Sequence, residues 1–307
     1  MRPTLFTIGG GDVRTYGVAM ALAFLVAVVL GARAAKRRAV GVSLWLDLCF
    51  WLLVSGVLGS RLLFVITNAD AFYQQCAVGV SGAGSRSLWR VLIDCSRPLH
   101  VWEGGLVYYG GVIAATLTTV YYLRKRGASF LRVADLAAPL LALGHAIGRL
   151  GCLAAGCCYG KVALSGAGAR FPRESLVFME LVQRRLLDAG AQMTPALHAT
   201  QLYEALGEGL IFLALTLLTA RRRYHGQIFI AYLLLYGLLR SVVEVFRDDP
   251  LRRFVFELYT PALNKSLGVG PGALLLSTSQ AISLLMFVAA GVLWWKLRRA
   301  RGGAAGA

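Results

Sequence analysis

Seven runs of about 20 mostly apolar residues recur along the chain, near 15 to 35, 44 to 66, 105 to 123, 134 to 154, 199 to 219, 227 to 246 and 277 to 297. As α-helix, a run of that length crosses a hydrocarbon core of about 30 Å. In lipid every backbone N–H and C=O must find a partner within the protein, so an all-α integral membrane fold with about seven transmembrane helices is expected. Composition agrees. The 307 residues are 57% hydrophobic and 15% charged, whereas soluble domains are about 25% charged. The whole of 1–307 reads as a single polytopic membrane domain. The first run starts near Tyr16 and ends in Lys36-Arg37-Arg38 rather than at a small-residue cleavage site, so it reads as a retained anchor.

The net charge of +17 would point a soluble chain toward nucleic acid, but the placement of the charges argues against it. Fifteen of the 32 basic residues fall in four clusters directly after apolar runs: Arg33 to Arg38, Arg124 to Arg132, Arg221 to Arg223 and Lys296 to Arg301. These follow runs one, three, five and seven, which by the positive-inside rule places those ends in the cytoplasm. The N-terminus is then outside and the tail Lys296 to Ala307 inside. The longer loops at about 67–104, 155–198 and 247–276 face outward. Two of them hold breaker runs, Ser81 to Ser85 and Gly268 to Gly272, which read as flexible tips rather than a folded domain. Basic clusters at membrane ends attract anionic lipid headgroups, so membrane lipids are the expected partners and nucleic acid is not.

Charges at membrane depth are costly, so residues that break the apolar pattern carry the information. Asp47, Arg61, Arg149, Glu204, Glu208, Arg240 and Glu244 lie within or at the rims of the runs. For Asp47 and Glu208 the favoured reading is snorkelling or structural pairing. Tyr236, Arg240, Glu244 and Arg247 recur three to four residues apart, which places them on one stripe of a single helix. Such a stripe can hold an anion such as a phosphate, with Glu244 keeping Arg240 from being an unpaired buried cation. A purely structural i,i+4 ion pair explains the spacing equally well. In Gly144 to Gly160, glycines at 144, 148, 151, 156 and 160 surround Arg149 and permit close helix approach or an unwound helix end. The small residues leave room around a guanidinium whose fork suits phosphate. In Trp102 to Gly111, the pairs Gly104-Gly105 and Gly110-Gly111 bracket Tyr108-Tyr109 at a membrane boundary.

These pieces occur in a fixed order. They are Arg14-Thr15-Tyr16-Gly17, Gly59-Ser60-Arg61, Trp102 to Gly111, Asp135 to Pro139, Gly148-Arg149-Leu150-Gly151, His198 to Glu204, Tyr236 to Arg247 and Ser279-Gln280. The ordered set resembles the prolipoprotein diacylglyceryl transferase family over most of the chain. The resemblance implies seven spans, an outside N-terminus and a bacterial inner-membrane location. It also implies transfer of the diacylglyceryl group of phosphatidylglycerol to the lipobox cysteine thiol of a prolipoprotein, with release of glycerol phosphate. On matching positions, Arg149 would bind the lipid phosphate, Arg240 would stabilise the leaving group, Glu244 would orient Arg240, and Tyr109 would stand at the catalytic position. Tyr16, Gly104, Gly105, Gly110, Gly111, Gly148, Gly160, Gln201, Tyr203, Glu204, Tyr236 and Arg247 would complete the substrate site.

Departures from the family pattern concern the base and the span-four segment. Tyr109 stands where the family commonly has a histidine, and a tyrosine of pKa about 10 is a poor base unless a cation such as Arg149 lowers it. His100 and His145 are the alternatives. Cys152, Ala155 and Cys157 stand where the family usually has Asn, Asn and Glu, so the chain reads as a divergent branch. A disulfide from Cys152 to Cys157 or Cys158 and another between Cys76 and Cys95 are expected in an oxidising compartment, with Cys49 a buried apolar residue. A zinc site would need a fourth ligand and a more usual spacing, so no metal or dissociable cofactor is expected. A lipid-binding relative without activity and a thiol-redox membrane protein are the competing readings.

Overall fold

The computed structural model describes residues 4–8, 11–38, 40–81, 95–100, 105–164, 166, 168–248, 265–267 and 277–304. After a short antiparallel hairpin, β1 (Thr4–Ile8) and β2 (Gly11–Arg14), the described chain is helical. The long helices are α1 (Thr15–Arg37), α2 (Val42–Thr67), α4 (Tyr108–Lys125), α5 (Phe130–Ala155), α7 (Thr200–Ala220), α8 (Gln227–Phe246) and α9 (Thr278–Ala304). Two shorter ones, α3 (Ala69–Ser81) and α6 (Leu176–Gln183), lie in the connecting segments.

A helix therefore occupies every apolar run read from the sequence. Six of them, all but α4, are long and apolar enough to cross a membrane. Their long apolar side chains, such as Leu25, Leu58, Leu62, Leu210 and Leu285, stay more than half exposed to the surroundings. In water such surfaces would be an aggregation hazard; in lipid they face the natural solvent. The protein is a multi-pass membrane protein. The 18 residues of α4 form a helix about 27 Å long whose last turn holds Arg124 and Lys125.

Two compact units are present. The unit 35–130 contains α2, α3 and α4. Its helices α2 and α4 meet at glycines: a Cβ on Gly110 would lie 2.2 Å from the Gly59 carbonyl oxygen, and one on Gly59 would lie 2.3 Å from Ala114 Cβ. No other residue type permits that approach. Arg61, buried on α2, donates to the carbonyls of Arg97, Pro98 and Gly105, which ties the end of the connecting segment to the helix. The Cys76 and Cys95 disulfide expected from the sequence is formed in the same segment. Asp47 bonds to Tyr122 and Arg126, the structural pairing expected for it. The segment 67–104 is not all loop, since only Asn68 separates the end of α2 from the start of α3.

The second unit holds the hairpin, the greater part of α1, and everything from residue 131 onward. Here α8 packs between α7 and α9, and Ala138 and Ala142 of α5 join Ile211 and Leu215 of α7 and Ile228 of α8 in a buried cluster. The orphan N–H groups at the start of α8 are capped from another helix: Asp135 of α5 accepts from Gly226, Ile228 and Phe229 at 2.8, 2.9 and 3.0 Å. The segment 155–198, expected as loop, is instead packed around its own core of Tyr159, Phe171, Val177, Leu181 and Leu197. The runs at 82–85 and 268–272 lie outside the described residues.

Candidate active site

Helices α5, α7 and α8 bring their charged residues to one carboxylate. Glu204 of α7 is 2% exposed. Its Oε2 pairs with Arg149 Nε of α5, and its Oε1 lies 3.1 Å from Arg240 Nη1 of α8 and 3.9 Å from Arg247 Nη1. Arg240 is held on its other side by Glu244 Oε2 at 2.6 Å and by Ser279 Oγ of α9 at 2.8 Å. Glu244 is in turn fixed by Ser277, whose hydroxyl donates to Oε1 at 2.6 Å. Three guanidinium groups thus meet two carboxylates in an apolar helical setting. Removing water makes each of these attractions stronger and each unpaired charge more costly.

One turn from Glu204, Glu208 is fully buried and its Oε1 lies 2.7 Å from His145 Nδ1. The other ring nitrogen, Nε2, accepts from Arg149 Nε at 3.2 Å. Both nitrogens are committed, one as donor to a carboxylate and one as acceptor from a guanidinium, so His145 orients Arg149 rather than standing free. Tyr236 packs against the His145 ring at 5.6 Å between centroids and stacks on Tyr232. The sequence marked Glu208 as a paired structural residue and His145 as an alternative base; their meeting across α5 and α7 needs the fold.

The segment following α5 is bonded to the residues before α7 and at the end of α8. Gly160 N–H donates to His198 O at 2.9 Å, His198 N–H to Lys161 O at 2.9 Å, and Lys161 N–H to Phe246 O at 2.8 Å. Gly160 forms an isolated bridge with Arg247. A Cβ at Gly160 would lie 2.5 Å from Phe246 O and 2.8 Å from His198 O, so the crossing demands glycine. Gln201 Nε2 donates to Cys157 O at 2.6 Å, and Thr200 Oγ1 to Cys158 O at 2.8 Å. Tyr203 bonds through its hydroxyl to His198 Nδ1 at 3.2 Å and remains 37% exposed.

The expected disulfide from Cys152 to Cys157 or Cys158 is not formed; all three are free thiols. The Cys157 thiol lies 3.7 Å from the Cys152 carbonyl, which also accepts the Cys157 backbone N–H at 3.1 Å. Hydrogen bonding within the thiol cluster holds the Cys158 thiol well below the usual thiol range, and the Arg247 and Arg149 charges add to this. Cys49 is buried on α2, as expected.

Comparison with known proteins fits this architecture. The sequence model described as Prolipoprotein diacylglyceryl transferase matches residues 3–296. The chain belongs to the prolipoprotein diacylglyceryl transferase family. Among relatives, phosphatidylglycerol–prolipoprotein diacylglyceryl transferase of Clostridium tetani is 28% identical over 250 residues, covering 81% of this chain and 87% of the relative. The enzyme of that name from Finegoldia magna is 31% identical over 247 residues, 80% of this chain and 84% of its own. A second enzyme of that name in Clostridium perfringens is 27% identical over 303 residues, 98% of this chain and 97% of its own.

Of the residues that the diacylglyceryl transferase resemblance singled out, Arg149, Glu204, Arg240, Glu244 and Arg247 form one connected network, and Tyr236 and Gly148 belong to the same unit. Tyr16 opens α1 and meets α5 where Gly151 lacks a side chain: a Cβ there would be 2.5 Å from Ala19 Cβ and 3.6 Å from Tyr16 Cα. Gly160 lies in the segment following α5, and the Gln201 side chain of α7 holds that segment at the Cys157 carbonyl. Tyr109, Gly105, Gly110 and Gly111 lie in the other unit, with Tyr109 half-exposed in the first turn of α4. There Gly110 and Gly111 make the close contact with α2. Gly104 lies outside the described residues. His100 bonds to Ser96 in the connecting segment.

Proposed function

We propose that this protein transfers the diacylglyceryl group of phosphatidylglycerol to the lipobox cysteine of prolipoproteins, as a seven-span enzyme of a bacterial inner membrane with its N-terminus outside. The observation that carries this reading is the convergence of Arg149, Arg240 and Arg247 on Glu204 among apolar helices. A lipid phosphodiester carries one negative charge, and the guanidinium forks of the cluster suit its oxygens. In the reaction the cysteine sulfur forms a bond to the glyceryl carbon that bears phosphate. The carbon–oxygen bond breaks, and glycerol phosphate departs with a second negative charge on its phosphate. Charge that develops during the reaction is what fixed cations stabilise best.

Arg149, oriented by His145 and Glu208, holds the phosphate. Arg240, fixed by Glu204, Glu244 and Ser279, meets the leaving oxygen. Tyr16, Tyr203 and Tyr236 line the lipid path with apolar rings that each carry a polar tip. With α4 as the seventh span, the four basic clusters all reach the cytoplasmic side. Thiol deprotonation is the step that the arginine network does not perform, and Tyr109→Phe tests the tyrosine directly. Lost turnover with retained lipid binding makes Tyr109 the proton acceptor; unchanged turnover removes it from the reaction.

The test of the whole reading is complementation of a bacterium depleted of its own diacylglyceryl transferase, scored by the mass increase of a lipoprotein precursor. Rescue by the wild type and none by Arg149→Ala or Arg240→Ala is expected. A membrane-inserted wild type that leaves the precursor mass unchanged overturns it.

A further inference from the structure

Three thiols at the end of α5 serve no purpose in the network above. Cys152 lies one turn beyond Arg149 on the same helix. The chain then turns through Gly156 at φ 67°, and Cys158 itself takes the left-handed conformation at φ 59°. A residue with a side chain persists in that conformation only where its surroundings enforce it. The enforcement is visible: Gln201 and Thr200 grip the carbonyls of Cys157 and Cys158 from the start of α7. The result is that the three Sγ atoms all lie within 4.8 Å of one another. Cys152 is buried, whereas Cys157 and Cys158 are half-buried and so reachable. Gln201 is fully buried, and its Oε1 has no hydrogen-bond partner among the described residues, an acceptor left over beside the gripped segment.

Thiolates around zinc sit about 2.3 Å from the metal and hence about 3.8 Å from each other, so this trio needs to contract by about 1 Å at most. Closed structural zinc sites use four protein ligands, and sites that act on a substrate use three and keep one position open. Among the described residues the cluster has three cysteines and no fourth protein donor.

We propose that Cys152, Cys157 and Cys158 bind one zinc ion through their thiolates and leave its fourth position to the cysteine thiol that accepts the lipid. This rests on the transferase reading above and supplies its missing step. A thiol that coordinates zinc gives up its proton, here to water, and the bound sulfur is a thiolate at neutral pH. That sulfur then bonds to the glyceryl carbon as the carbon–oxygen bond breaks, and the thioether product, a weaker ligand, leaves the metal. One proton is released per turnover, and no electrons are exchanged. The placement suits the chemistry, because Cys152 is one turn from Arg149 and Cys158 lies two residues before the bridge between Gly160 and Arg247. The nucleophile would form beside the group that holds its target. Gln201 Oε1 is then an acceptor for a water that fills the open position between substrates.

The test uses the full-length protein in detergent, reduced and stripped of metal, and titrated with Zn2+ against a chromophoric chelator and with Co2+ as a spectroscopic probe. One equivalent should bind, with thiolate-to-cobalt charge-transfer absorption, and stoichiometric binding should be lost in Cys152→Ser, Cys157→Ser and Cys158→Ser but kept in Cys49→Ala. Should those variants fail to fold, alkylation of the wild type counted by mass decides: Zn2+ must protect three thiols together. A lipobox peptide should alter the cobalt spectrum, and its Cys→Ser counterpart should not. No stoichiometric binding to the reduced protein, or a Cys152 to Cys157 or Cys158 disulfide in protein isolated without reductant, overturns the metal site. Binding that the thiol peptide leaves unperturbed overturns the role in thiol activation. Failure of precursor modification in cells with an intact cobalt signal counts against the transferase reading instead.

Discussion

Arg240 Nη1 on α8 lies 3.1 Å from Glu204 Oε1 on α7, and that pair joins two helices through the same carboxylate that Arg149 of α5 also grips. A lysine at 240 would keep the charge but lose the fork, and with it the simultaneous contacts to Glu204, Glu244 and Ser279. Arg240→Lys is expected to lower kcat roughly 100-fold, the scale for losing one preorganised donor to a developing oxyanion, with little change in KM. Single-turnover mass analysis of a precursor peptide measures it, and a kcat within a few-fold of wild type would count against the leaving-group role.

His145 is a positioning residue, so its effect should depend on whether its replacement can still accept from Arg149. His145→Phe leaves Arg149 Nε without that partner and Glu208 buried without its donor, a cost of about 1–3 kcal/mol. It should raise KM for phosphatidylglycerol about tenfold, and His145→Gln, which can serve both partners, should recover most of the loss. If Gln and Phe behave alike, orientation is not what the histidine provides.

The sequence showed as much of this site as lies along single helices. The stripe of Tyr236, Arg240, Glu244 and Arg247 was legible because i,i+4 spacing is a local property, and the long helices were legible because lipid demands uninterrupted apolar runs. What it could not show were meetings between helices: Glu208 with His145, Ser277 with Glu244, and Arg149 with Glu204 depend on how α5, α7, α8 and α9 pack. The thiol cluster was hidden for a related reason. A disulfide looked natural from spacing, but Cys158 reaches its neighbours only through a left-handed backbone that Thr200 and Gln201, some forty residues away, impose. The core of 155–198 was missed because its apolar residues are scattered among glycines and arginines without a period.

Asp135 supplies the cap that α8 lacks in its own sequence. Asp135→Ala would leave three N–H groups at a buried helix start without their acceptor and should cost at least about 1.5–3 kcal/mol, the range for one hydrogen bond to a charged group. Thermal unfolding in detergent should place Asp135→Asn, which keeps one acceptor oxygen, between alanine and wild type.

The contact of α2 with α4 makes opposite predictions for two glycines, Gly110 on α4 and Gly56 on α2. Gly110→Ala drives a methyl into the Gly59 carbonyl and should destabilise by about 1–3 kcal/mol or more. Gly56→Ala meets nothing within 4 Å and gains up to about 1 kcal/mol of helix propensity. Melting temperatures of the two variants side by side check this; equal shifts would mean that the helices do not meet through these glycines.

The crossing at Gly160 has a genetic corollary. The glycine bears no charge and touches no substrate group, yet its backbone is bonded to His198 and bridged to Arg247, and two residues before it the Cys158 carbonyl is held by Thr200 in the same weave. A single added methyl there would push the guanidinium of Arg247 away from its carboxylate without altering any ionisable group. In a mutational screen scored by lipoprotein maturation, Gly160 should therefore group with the arginines and not with the packing glycines of α2 and α4: a steric lesion with an electrostatic phenotype.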